Sequence, residues 1–404
     1  MKKTLTFVVM GLQAARLRLV NDATGKTVQM TSPLRIDDFG VLRHRFQGLA
    51  ADTDYTAILE TIEGVQSPET VSFSTPPSGP HSFQFAGASC ARDRSNALIF
   101  DNIRARAESG DMKFFMHMGD MHYRDETRNE EKWFLRHFRE AFGMTRQRNC
   151  WAATPMAFMI DDHDGGPNDR HRGTPSRQAA VKAYRRLVPS PQLAFAGPED
   201  SPHYAFRRGR VRFLVNDFRS DRAAKGLYDT NDARQVVWLP EHREWFFGQL
   251  MEARQAEEVI CWVQTKRWIA NTSTGRDTWG GYFAAKMEVA DFITANNLRD
   301  SMFMFSGDLH SLAYDDGTSV NNHGDLHVCH AAPIDQTAGS TDGPFLIGRI
   351  PQDASAGVVS QYGLIDVTDT GGAQVGIRFR GIQVDRDTGT ETEAIDVSFD
   401  LDAA

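Results

Sequence analysis

Five segments of the chain end in side chains that hold metal ions: Ser89-Cys90-Ala91-Arg92, Gly119-Asp120-Met121-His122-Tyr123, Asp161-Asp162-His163-Asp164, Gln264 and Ser306-Gly307-Asp308-Leu309-His310. Two of them follow apolar runs, 113–118 before Gly119 and 302–305 before Ser306. Short apolar runs that stop at such punctuation read as buried strands. A buried strand that ends in Gly-Asp delivers its carboxylate to the carboxyl edge of a sheet, where open α/β sheets bind ligands. One such strand says little. Several aimed at one edge, carrying Asp, His, Cys and Tyr, point to a metal centre.

The donor types suggest how two ions would share that edge. Asp120 takes the role of the carboxylate that bridges both. Cys90, Tyr123 and His310 complete the set around one ion, and thiolate with phenolate favours iron or another strongly Lewis-acidic transition metal. Asp162, Asp308 and Gln264 give the second ion an oxygen-rich set suited to Ca²⁺, Mn²⁺ or Mg²⁺, with Gln264 open between ligand and strand-end hydrogen bonder. His163, beside Asp162, is the candidate proton donor, and Asp164 is placed to fix its tautomer. Arg92 and Arg219 are candidates for gripping an oxyanion, because the guanidinium fork matches its oxygens. Plainer readings apply elsewhere. Asp161 reads as a turn former, His117 as a core histidine, Cys261 and Cys329 as small core residues, and Trp238, Trp245, Phe246 and Phe247 as helix packing.

The elements that must position these residues follow from periodicity. Residues 1 to about 78 read as all-β, with alternating segments at 15–20, 41–46, 56–59 and 70–73, and a first strand over 5–9. Pro76-Pro77-Ser78-Gly79-Pro80 is a linker. From residue 81 to 404 strands alternate with helical segments. The predicted strands are 83–87, 113–118, 156–160, 258–263 and 302–305, with a hairpin over 206–218 turning at Arg208-Gly209. Helices are predicted around 95–107, capped by Ser95, and at 133–142, 179–187, 241–252 and 287–293. The tail from about 356 is again β-rich.

With these elements in place, the ordered motifs resemble one branch of the metallophosphoesterases, the PhoD-like alkaline phosphatases. Ser89-Cys90 stands where most of the superfamily has Asp-x-His, and Gly307-Asp308-Leu309-His310 stands in place of Gly-His-x-His. The stretch 161–168 is similar to the branch's Trp-Asp-Asp-His-Asp/Glu…Asn signature, with Ile160 where tryptophan is usual. Asn216-Asp217-Phe218-Arg219-Ser220 is similar to its Leu-Asp-x-Arg, and Gln235-Val236-Val237-Trp238-Leu239 to its Gln-x-x-Trp-Leu. The resemblance implies a four-layer αββα sandwich over α/β elements, hydrolysis of phosphate esters, a mixed iron–calcium centre, and Asn168 among the substrate-binding residues. Mn, Zn or Mg remain open from the ligand types. The segment 47–55 and the ending Phe73-Ser74-Thr75-Pro76-Pro77 are similar to a fibronectin type III domain, which implies a small β-sandwich in front.

The bulk numbers bound the alternatives. A formal charge of −8 over 404 residues gives no general attraction to nucleic acid or anionic membrane, so a small phosphoester is the expected partner. No apolar stretch approaches the roughly 18–20 residues of a membrane span. The start, Met1-Lys2-Lys3 followed by an apolar run, could serve as an export signal over residues 1–15; reading it as a strand favours a cytoplasmic location. Two other functions stay open: a phosphodiesterase of nucleic acid or lipid headgroups, and a non-catalytic surface binding protein with a structural metal site. Oligomeric state is not readable from the chain.

Overall fold

The computed structural model describes residues 1, 3–8, 12–319, 326–339, 344–349 and 357–403; Val9 of the expected first strand lies outside them. Two seven-stranded sheets face each other. In the first, Phe83–Ala88, Met112–His117 and Met156–Phe158 run parallel. In the second, Val211–Val215, Val259–Gln264, Met302–Ser306 and His327–Ala331 run parallel. Val259–Gln264 and Met302–Ser306 are buried at every position, which is why they read as continuous apolar runs rather than alternating ones.

Alternation still decides which neighbours each residue meets. Phe85, Met116, Phe213, Cys261, Val263 and Phe305 fill the space between the sheets. The opposite faces carry helices. Ile99–Glu108 and Thr145–Ala153 lay Phe100, Ile103 and Cys150 against Ala86, Phe115 and Leu364. Pro240–Gln255 and Phe283–Ala295 lay Phe246, Leu250, Val289 and Ile293 against Ile260, Trp262 and Met304. The result is the expected four-layer αββα sandwich. Each large side chain buried in these layers contributes about 1.5–3 kcal/mol.

Three local features differ from the sequence reading. The C-terminal strands are no appendage: Val358–Thr368 pairs antiparallel with Phe83–Ala88, and Gln374–Val384 and Glu391–Asp402 extend the sheet outward. Helix Thr145–Ala153 was not anticipated, because it buries only Gln147 and Cys150 and so shows little periodicity. Ser95 caps no helix; the helix begins at Ile99, and the Ser95 hydroxyl donates to buried Asp335.

In front stands a smaller pair of sheets. Lys3–Val8 pairs with Val41–Phe46, facing Lys26–Met30, Ala14–Asn21, Asp54–Thr61 and Gln66–Ser74. Leu17, Leu19, Phe46, Tyr55, Ala57 and Phe73 form their own core. The Ala50 amide donates to the Tyr55 hydroxyl at 3.1 Å, a bond of the kind found in the tyrosine corners of β-sandwiches. This unit touches the larger one through Val41, which packs with Phe138, Phe158 and Tyr184. Arg43 also donates to the carbonyls of Arg185 (2.7 Å) and Ser190 (3.0 Å). Among the described residues no helix is long and apolar enough to cross a membrane.

Candidate metal centre

The carboxyl ends of strands from both sheets meet in one place. Phe83–Ala88 leads to Cys90, Met112–His117 to Asp120, Met156–Phe158 to Asp161 and Asp162, and Met302–Ser306 to Asp308 and His310. Backbone hydrogen bonds tie these turns together. The Cys90 amide donates to the Gly119 carbonyl at 3.1 Å and the Ala91 amide to the Asp120 carbonyl at 2.9 Å. The Asp308 amide donates across the sheets to the Ser89 hydroxyl at 2.8 Å. The close approach needs glycine: a Cβ on Gly119, where φ is +85°, would stand 2.5 Å from the Asp161 Cβ.

The side chains converge as two overlapping groups. The Cys90 thiol lies 3.6 Å from Asp120 Oδ2, and the Tyr123 hydroxyl donates to the same oxygen at 3.0 Å. His310 Nε2 lies 3.1 Å from the Tyr123 oxygen. On the other side, carboxylate oxygens of Asp120, Asp161, Asp162 and Asp308 lie within 4.8 Å of one another, and a His163 ring nitrogen is as close to Asp120 and Asp162. Asp161, read as a turn former, thus joins the acidic group.

This donor set fits metal ions on three physical grounds. Burial, and then repulsion among the aspartates, holds the Asp120 carboxyl well above the ordinary carboxylate range, and at Asp308 burial with the neighbouring aspartates outweighs the opposing pull of Arg219 and does the same. For Asp162 burial acts the same way, but Arg219 and His163 outweigh it and hold that carboxyl below its usual range. Crowded buried acids of this kind are what a cation relieves. Second, Asp162 Oδ1 is buried with no hydrogen-bond partner among the described residues. Third, Cys90, Asp120, Asp308 and His310 all have positive φ, at 68°, 53°, 79° and 58°. Left-handed backbone at non-glycine residues stores roughly 1–3 kcal/mol each and gathers where side chains must be aimed at one point.

Several expected roles change. Asp164 does not touch the His163 ring; its carboxylate accepts the backbone N–H of Asp120 (2.7 Å), Met121 (2.7 Å) and Asp161 (3.0 Å). It therefore shapes the loop that carries Asp120. The partner of His163 Nδ1 is Asp125, at 2.5 Å, and the ring lies over Tyr123 with centroids 4.1 Å apart. Gln264 takes the second of its two readings, as a strand-end hydrogen bonder: it shares a face with Ile260 and Trp262, accepts from the Trp279 indole at 3.4 Å, and points its amide at the Met304 sulfur. Its neighbour Thr265 turns to the centre and donates to Asp161 at 2.9 Å.

The arginines are held by carboxylates. Arg219 is fully buried and bonded to Asp161 and Asp277, with Asp308 at 3.2 Å and Asp162 at 3.4 Å. Arg92 is held at 2.9 Å by Asp335, and the exposed Asn168 donates to Asp169 at 3.1 Å. His117 is a core histidine between Phe158 and Trp151, pushed down to about 3 by burial. His122 packs on His137 and Phe138, away from the acidic group.

Asp277 went unnoticed in the sequence. Its carboxylate gathers three buried cations: Arg219, Arg222 and Lys266, the last at 2.7 Å. It lies in an irregular loop, so no periodicity marks it. Asp125, the partner of His163, sits in a loop for the same reason. Lys266 had a weak signal, since it follows the strand end at Gln264.

Comparison with known proteins agrees with this fold. A profile of PhoD-like phosphatases matches residues 85–330. No curated protein sequence matches the chain. A solved structure of PhoD is similar with a TM-score of 0.79 and 16% identity, covering 97% of this chain and 85% of that one. Purple acid phosphatase PPD1 from yellow lupin (Lupinus luteus) seeds gives a TM-score of 0.60 at 11% identity, covering 99% of this chain and 72% of that one. At these identities both comparisons speak to the fold.

Proposed function

The chain belongs to the PhoD-like phosphatase family and is a phosphoric ester hydrolase; from that premise we propose that it hydrolyses small phosphate esters at a dinuclear metal centre held by Cys90, Asp120, Tyr123, Asp162, Asp308 and His310. The observation that carries this reading is the meeting of donors from both sheets on Asp120, sulfur, phenol and imidazole on one side and carboxylates on the other. The donor types favour iron beside Cys90 and Tyr123, and the family resemblance implies calcium beside Asp162 and Asp308, with Mn, Zn or Mg as the alternatives.

When bound, such ions supply Lewis acidity toward a water nucleophile and a phosphoryl oxygen. The remaining work belongs to the chain. Asp120 would be the carboxylate common to both ions, and Asp164 holds its loop through two amides. His163 keeps Nδ1 on Asp125, which orients the ring. The Nε2 proton then passes to the leaving oxygen. Arg219, buried beside Asp162 and Asp308, is the nearest guanidinium for a phosphate oxygen. The catalytic unit in this reading is 81–404, with 1–78 as an accessory sandwich.

The test is elemental analysis of the purified protein beside a panel of phosphomonoesters and phosphodiesters. Two metals per chain with turnover are expected. If iron sits on Tyr123, a charge-transfer colour should bleach in Tyr123→Phe. Full turnover by a metal-free protein would overturn the dinuclear reading, and bound metals without turnover of any ester would leave a binding protein.

A further inference from the structure

A cavity of about 500 Å³ opens where the amino-terminal sheets meet the larger unit, at the far ends of the strands that feed the metal centre. Lys113 and Phe114 line it at the start of Met112–His117, whose other end leads to Asp120. At about 3.3 Å per residue, the two sites lie roughly 20 Å apart.

The charges in this cavity do not balance. Lys3, Arg45, Lys113, Arg207 and Arg208 line it, and among the described lining residues none is acidic. Three of the five have partners. Arg207 pairs with Glu258 at 2.7 Å, Lys113 donates to the Gly110 carbonyl at 2.6 Å, and Arg45 to the Gln192 side chain at 3.2 Å. Lys3 and Arg208 pair with no carboxylate among the described residues. Lys3 sits 5.4 Å from the centre of the Phe73 ring and Arg208 5.4 Å from that of Phe83. Arg208 Nε is buried without a hydrogen-bond partner among the described residues. Burial, then repulsion from Arg208, lowers Lys3 to about 8, and burial lowers Arg208 to about 10. Two cations that repel each other in a shared cavity destabilise the fold unless something supplies the counter-charge.

The walls indicate what else the missing group carries. Phe73, Phe114 and Phe206 line the cavity with Pro155, Pro189 and Pro191, a rigid apolar surface next to the cations. Five hundred cubic ångströms is within the ordinary range for small-molecule sites, and such sites favour domain junctions. We propose that the cavity binds a small aryl oxyanion, its ring against the phenylalanines and prolines and its tetrahedral group between Lys3 and Arg208. The arginine fork and the lysine point charge together suit a phosphate, sulfate or sulfonate. A ligand there spans the accessory sandwich and the catalytic unit, so it ties the two together and raises the stability of both. This site is independent of the chemistry at the metal centre.

Naphthalene-1-sulfonate is the probe, since it has no ester bond to cleave. Calorimetric titration of the full-length protein should show one-to-one binding and a raised melting temperature. Arg208→Gln and Lys3→Gln should each weaken binding tenfold or more while small phosphate esters are hydrolysed at the wild-type rate. The neutral analogue naphthalene-1-methanol should bind at least tenfold more weakly, and Asp120→Asn should bind the sulfonate normally. No binding by the wild type, or wild-type affinity in the cation variants, would overturn the proposal. So would affinity lost in Asp120→Asn and kept in Arg208→Gln, which puts the probe at the metal centre. If Arg208→Gln fails to fold, Lys3→Gln decides.

Discussion

Asp120 is the residue on which both halves of the centre depend, since it touches the Cys90 thiol and the Tyr123 hydroxyl and also lies among the aspartates. Asp120→Asn should therefore lose metal and activity together, read by elemental analysis and turnover; near-normal turnover with full metal content would refute the shared role. His163 lies beside the acidic group, with its Nδ1 paired to Asp125. His163→Ala should keep its metals and lose roughly 10²–10⁴-fold in rate, less for esters with very acidic leaving groups, which need little protonation. A uniform loss across leaving groups would make it a positioning residue. Asp277 belongs to a different problem, since it balances Arg219, Arg222 and Lys266, whose side chains are all fully buried. Asp277→Asn leaves those cations short of charge and should cost about 3–5 kcal/mol of stability by denaturant titration. A change under 1 kcal/mol, as at an ordinary surface position, would show that the cations find other partners.

At the scale of elements, glycine sets how closely the two sheets approach. A Cβ on Gly307 would stand 2.5 Å from the Ser89 hydroxyl, the group that holds the Asp308 amide. Gly307→Ala should cost about 1–3 kcal/mol and displace Asp308, lowering activity as well as stability. Adding Ser89→Gly should restore stability but not activity, because the space returns and the hydrogen bond does not; additive losses would disprove the contact. The elements themselves were partly legible. Met302–Ser306 and Met112–His117 announced themselves because strands covered on both faces must be apolar throughout. Leu312–Asp315 and His327–Ala331 did not, being short and mixed in composition. The sequence leaves Gln264 open between ligand and hydrogen bonder although a clue is present, since it lies two and four residues beyond Trp262 and Ile260, on the helix-facing side of its strand. Most of the expected donors were readable because each ends a strand. Asp125 and Asp277 were not, because loops bring them in from afar and no local pattern records it.

Across the whole molecule, the metal centre is also a structural joint, since its donors come from both sheets. Chelation should lower the melting temperature by several degrees, because ligand held at a thousandfold above its dissociation constant stabilises by about 4 kcal/mol. An unchanged melting temperature after metal loss, checked by elemental analysis, would show that the aspartates tolerate their crowding unaided. The closing strands have a consequence in time. Gly87 pairs with Gly363, and the strand that presents Cys90 has Val358–Thr368 as its neighbour on one side. At about 5–20 residues per second, a ribosome needs roughly 15–55 s to travel between those two positions. Throughout that interval Phe83–Ala88 has an open edge, and the nascent chain displays cysteine, aspartate and tyrosine before the sheet that aligns them is complete. The candidate donors are thus held in a complete sheet only after Val358–Thr368 has been made, and a chain stopped short of Val358 should fail to retain metal.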